Sequence, residues 1–63
     1  MENKLQQIRE NLHLSQEELA EKSGVTRQTI SKIETNKKYN TTVGTLKKLS
    51  NALGCSIEEI FFR

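Results

Sequence analysis

The sequence predicts an all-α fold, a compact domain of five short helices, and three observations carry that expectation. Apolar residues recur at spacings of three and four through most of the chain, as amphipathic helices require. Hydroxyl residues Ser15, Thr26, Thr42 and Ser56 each stand immediately before such a stretch, where helix N-caps belong. Gly24 and Gly54 close two of the stretches, and a glycine can take the positive φ that commonly ends a helix.

The elements follow in order. A first helix is expected over about residues 4 to 11, with Leu5, Ile8 and Leu12 at core spacing. His13 and Leu14 make a corner. Ser15 with Glu18 forms a capping box that opens the second helix, whose Leu19 and Ala20 face inward. A side chain larger than Ala20 would push this helix away from the next. Gly24 then turns the chain, Val25 enters the angle between the two helices, and Thr26 caps a third helix over residues 27 to 35 that turns Ile30 and Ile33 inward. The order alanine, glycine, apolar residue, threonine cap, isoleucine, isoleucine is what a helix-turn-helix needs. After the polar stretch NKKYNT, broken only by Tyr39, Thr42 caps a fourth helix with Val43, Leu46, Leu49, Ala52 and Leu53 inward. A second capping box, Ser56 with Glu59, opens a short fifth helix bearing Ile57, Ile60 and Phe61. No repeat, linker or low-complexity tract divides the chain, so residues 1–63 are expected to form a single domain.

Sixty-three residues support one small core, near the lower size limit for folding without disulfides or metals. A single cysteine rules out a disulfide framework, and no Cys/His spacing suits a metal ion, so neither metal nor cofactor is expected and a reducing cytoplasm fits best. No apolar run reaches the ~20 residues of a membrane span, and MENKLQQIRE lacks the apolar core of a secretory signal. The net charge of +2 is small, but it is unevenly placed. Residues 1 to 24 set Lys4, Arg9 and Lys22 against five glutamates for a net −2, whereas residues 25 to 40 set Arg27, Lys32, Lys37 and Lys38 against Glu34 alone for +3. A basic probe beside an acidic flank orients a molecule on a polyanion.

The third helix supplies that probe. At about 100° per residue, Ile30 and Ile33 fall on one side, and Arg27, Gln28, Ser31, Lys32 and Thr35 fall on the other. Arginine matches guanine O6 and N7 with paired donors, and glutamine matches adenine N6 and N7. Both stand in the first turn, so Arg27, Gln28 and Lys32 are the expected base-reading residues of a double-stranded DNA binder. Unpaired backbone N–H groups and the helix dipole favour a phosphate at the same end, near Thr26, Thr29 and Ser31. In the following loop Asn36, Lys37, Lys38 and Asn40 offer donors to the same phosphate backbone. The two lysines taken alone are equally a solvated surface. Tyr39 either points its hydroxyl at a phosphate or covers the core edge, and the sequence leaves both open.

The segment LHLSQEELAEKSGVTRQTISKIE resembles the core of the helix-turn-helix family of phage repressors and Cro, which includes many small bacterial and plasmid regulators. LKKLSNALGCSIEEIF resembles the family's two closing helices, so the likeness covers nearly the whole chain. The resemblance implies a compact five-helix, repressor-like DNA-binding domain with the helix-turn-helix formed by helices two and three. It implies a transcriptional regulator, a repressor, bound as a homodimer to a pseudo-palindromic operator, with recognition helices in major grooves ~34–36 Å apart. It also implies that Arg9 pairs with Glu34 and that Gln16 holds a phosphate. Two positions depart from the family pattern. Asn36 stands where glycine is common and Thr41 where proline is frequent, and the turn at 36 is expected to survive because asparagine tolerates the left-handed conformation.

Other residues have plainer readings. Cys55, between Gly54 and the Ser56 cap, reads as a buried inert thiol. His13 reads as an exposed turn residue, and Glu58 and Glu59 favour the first turn of their helix through its dipole. No nucleophile, oxyanion or phosphate-loop motif is present, so no enzyme and no small-molecule ligand is expected. Phe62 turns about 100° away from Phe61 and lacks a core, so Ile60, Phe61 and Phe62 are the expected homodimer surface. The alternative is an antitoxin or immunity-type protein-interaction module with secondary DNA binding. That reading calls for surface to wrap a protein partner, and the sequence given runs only two residues past Phe61.

Overall fold

Local signals fix the ends of the helices first. A computed structural model describes residues 3–61, with α1 at Leu5–Asn11, α2 at Gln16–Ser23, α3 at Arg27–Thr35, α4 at Val43–Leu53 and α5 at Ile57–Phe61, and no strand among them. Both capping boxes form: Glu18 N donates to Ser15 Oγ at 3.0 Å and Ser15 N to Glu18 Oε1 at 2.8 Å, while Glu59 N donates to Ser56 Oγ at 3.2 Å and Ser56 N to Glu59 Oε1 at 2.8 Å. Thr26 and Thr42 cap α3 and α4 by accepting from Thr29 N and Thr45 N, each at 3.2 Å. Gly24 takes φ +79° and ψ 10°, and this left-handed residue, with Val25 N donating to Ser23 Oγ at 3.1 Å, makes the turn between α2 and α3.

The amphipathic faces then close on one core. Leu5, Leu19, Ile30, Ile33, Leu49 and Ile60 are completely or almost completely buried, joined by Val25, Leu46, Leu53 and Phe61. α2 packs against both α3 and α4, α1 against α3 and α5, and α5 also against α4. Asn3 ties the start of the chain to the reading helix: its Oδ1 accepts from Leu5 N at 2.9 Å, and its Nδ2 donates to Ile33 O at 3.0 Å. Lys4 N donates to Ile60 O at 2.7 Å, joining α1 to α5. Cys55 is half-buried against the core, with Sγ 3.7 Å from Leu53 O.

Two expected core residues lie outside it. Leu12 is 49% exposed, because α1 ends at Asn11 and His13, at φ 59°, swings the chain off the helical stripe. Leu14 packs against the core instead. Val43 is 63% exposed, since burial along α4 begins one turn later at Leu46. A polar residue takes a core place: Ser50 is buried, and its hydroxyl is satisfied by donating to Lys47 O at 2.9 Å.

Candidate nucleic-acid interface

An ion-pair network sets the attitude of α3. Arg9 Nε donates to Glu34 Oε2 at 2.8 Å, Arg9 donates through its second terminal nitrogen to Glu34 Oε1 at 3.1 Å, and its other terminal nitrogen donates to Leu14 O. Gln16 Nε2 adds a third donor to the Glu34 carboxylate at 2.9 Å. The Glu34 side chain is 1% exposed and that of Arg9 is 10% exposed. The hydrogen bond to Glu34, with its charge, holds the Arg9 guanidinium above even arginine's ordinary pKa against the opposing effect of burial. A two-pronged, desolvated pair of this kind fixes geometry, and removing one partner leaves the other buried without compensation. Arg9 and Glu34 thus join α1 to α3, and Gln16 brings the first residue of α2 into the same knot.

The face turned away from the core is open. Arg27, Gln28, Lys32 and Thr35 are exposed, and Ser31 is half-buried, while Ile30 and Ile33 on the opposite side are sealed. Thr35 Oγ1 donates to Ser31 O at 2.7 Å, which occupies that hydroxyl locally. At the start of α3 the Thr26 hydroxyl donates to Thr29 Oγ1 at 2.9 Å while accepting from Thr29 N, so both functions of Thr26 are used. Gln16 spends one amide N–H on Glu34, and a primary amide has a second for a phosphate.

Beside the first turn of α3 lies an open depression of about 530 Å³, walled by Ser15, Glu17, Glu18 and Glu21 on one side and Arg27 and Gln28 on the other. The three carboxylates make this depression unfavourable for an anion, beside the exposed Arg27. That agrees with the uneven charge of the sequence.

The loop after α3 takes a different path from the expected one. Asn36 has φ −111° and ψ 101°, an extended conformation and not a left-handed one. The turn is made by its side chain and carbonyl: Lys38 N donates to Asn36 Oδ1 and Tyr39 N to Asn36 O, each at 3.0 Å. A side-chain-built turn of this kind replaces the positive φ that a glycine would supply. Asn36, Lys37, Lys38 and Asn40 are exposed along it. Tyr39 is half-buried against the core, with Lys32 Nζ 5.8 Å from its ring centre.

The expected dimer residues are divided. Ile60 and Phe61 are 1% and 4% exposed within the protomer, so they build the core and offer no surface to a partner. Phe62 lies outside the described residues. Among the described residues, no group of His, Cys, Asp and Glu is placed to hold a metal ion, and no helix is long and apolar enough to cross a membrane. The sequence reading missed the roles of Asn3, Ser50 and the Gln16 to Glu34 bond; for Asn3 an asparagine two residues ahead of the first helical residue was the available signal.

Comparison with known proteins agrees with this architecture. The helix-turn-helix family matches residues 5–60. A protein of Methanocaldococcus jannaschii, named as an uncharacterized HTH-type transcriptional regulator, is 44% identical over 61 residues, covering 97% of this chain and 91% of the relative. With the match running from α1 into α5 and the two helices of the motif in place, the chain belongs to the Cro/C1-type helix-turn-helix family.

Proposed function

We propose that this protein is a sequence-specific, double-stranded DNA-binding transcriptional regulator, a repressor, that binds a pseudo-palindromic operator as a homodimer with α3 in the major groove. One observation carries the reading: α3 buries Ile30 and Ile33 and holds Glu34 in an ion pair while Arg27, Gln28 and Lys32 are exposed to solvent. Arg27 and Gln28 have the paired donors and acceptors that match base edges, and Lys32 adds a third reading group. Gln16, Thr29, Ser31, Asn36, Lys37, Lys38 and Asn40 grip the phosphate backbone and set the register without reading sequence, and Thr26, whose hydroxyl is held by Thr29, joins them through its backbone alone. Occupancy of the operator excludes other proteins from the same DNA, which is repression in its simplest form, and the action belongs in the cytoplasm. The name of the archaeal relative supports the regulatory part of this reading.

Size supports pairing. The longest extent of the domain is 24 Å, shorter than the ~34–36 Å between successive major grooves on one face of the duplex, so one copy serves one half-site. Phe62, beside the α5 end, is the residue on which pairing is proposed, with DNA promoting it by bringing two copies together. Binding measured on a site selected from random DNA tests the function. Affinity is expected to favour the selected site and to fall linearly in log–log form with salt, by a slope of about 0.9 per neutralised phosphate. Absence of sequence preference, or indifference to salt, contradicts it. For the homodimer, sedimentation on a two-site duplex is expected to show weaker pairing for Phe62→Ser than for wild type, and identical pairing would place the interface elsewhere.

A further inference from the structure

The reading face of α3 meets the loop behind it where Lys32 approaches Tyr39. Lys32 Nζ stands 5.8 Å from the centre of the Tyr39 ring, inside the ~6 Å range of cation–π attraction. Lys32 is exposed, whereas Tyr39 is half-buried and packed against the core, so the ring is the fixed member and the lysine the held one. The loop that carries the ring is itself folded back on the end of α3 by the two bonds to Asn36 from Lys38 N and Tyr39 N. A lysine on an exposed helix has a flexible four-carbon stem and gives up rotamer freedom when it binds. The ring selects part of that freedom before DNA arrives.

We propose that Tyr39 is a positioning residue for base readout: its ring holds the Lys32 ammonium at the loop-side edge of the reading face and so sets which base step it reaches and how selectively. The proposal rests on the DNA-reading function proposed above. Attraction comes from the face of the aromatic ring and not from the hydroxyl, so phenylalanine keeps it and leucine, which still covers the core edge, removes it.

Four proteins test this: wild type, Lys32→Ala, Tyr39→Phe and Tyr39→Leu, each compared by NMR without DNA and by selection from a randomised half-site. Wild type and Tyr39→Phe are expected to show Lys32 ε-methylene protons shifted upfield by the ring, and Tyr39→Leu to show them at their ordinary position. At the base position where Lys32→Ala loses preference, Tyr39→Leu is expected to lose on the order of tenfold in selectivity while Tyr39→Phe retains it. Uniform weakening on all sequences by Tyr39→Leu with the preference intact makes Tyr39 mere core cover and overturns the proposal. So does the lack of a ring shift in wild type. Should wild type select no sequence at all, the DNA-reading function fails and the proposal falls with it, a case recognised because the ring shift persists while Lys32→Ala changes nothing.

Discussion

In the buried, inner set of α3 side chains the Glu34 carboxylate, 1% exposed, takes three donors from Arg9 of α1 and Gln16 of α2, whereas in the exposed, outer set Arg27, Gln28 and Lys32 stand in solvent. The two sides carry the same kinds of group and use them oppositely. Charge that is desolvated and fully bonded fixes where the helix sits, and its removal is felt as instability. Charge left in water costs the fold little and keeps its donors for a partner. A residue's burial and bonding therefore predict whether its loss is read in folding or in binding.

The largest expected effect lies on the inner side. Arg9→Ala or Glu34→Ala leaves the other partner buried, at a cost of about 3–5 kcal/mol, the lower end applying because some water reaches Arg9. A domain of this size has roughly 3–9 kcal/mol of total stability, so either variant is expected near the edge of folding in chemical denaturation. The double variant should lose less than the two singles together, by about 0.5–3 kcal/mol. Strict additivity would mean that the pair is not coupled.

Gln16 sits on the boundary and sharpens the comparison. Removing its bond to a charged carboxylate is expected to cost about 1.5–3 kcal/mol of stability in Gln16→Ala, with a further loss in DNA affinity that is the same for all sequences. A binding loss with unchanged stability would assign Gln16 wholly to the outer side. The smallest effect belongs to the loop. Lys37→Ala is expected to leave thermal unfolding within about 0.5 kcal/mol and to make the salt dependence of binding shallower by about one unit. An unchanged slope would remove Lys37 from the phosphate contacts.

What the sequence made legible was local. Capping boxes span four residues, the α2–α3 turn spans Gly24 to Thr26, and α3 has the bounds that the spacing of Thr26, Ile30 and Ile33 predicts. The two faces of α3 follow from helical periodicity alone. The Arg9 to Glu34 pair came from family resemblance, because nothing local joins residues 25 apart. What stayed hidden depends on neighbours distant in sequence or on the exact end of an element. Gln16 reaches Glu34 across 18 residues and Asn3 reaches Ile33 across 30. Leu12 and Val43 have core spacing but fall at helix ends, where the stripe runs past its packing partners. Asn36 has the right chemistry for a turn, yet it turns the chain through its side chain and not through a left-handed backbone. Ile60 and Phe61 had enough apolar surface for either a core or an interface, and packing against α1 and α4 settled them in the core.

Whether the outer face of α3 reads DNA is decided by measuring Arg27→Ala for thermal stability and for affinity to matched and scrambled duplexes under the same salt. The expected result is a stability within about 0.5 kcal/mol of wild type, a loss of ~1–3 kcal/mol on the matched site, and relaxed preference at one base position in each half-site. Equal loss on matched and scrambled DNA would reduce Arg27 to a phosphate contact and contradict base reading by this face.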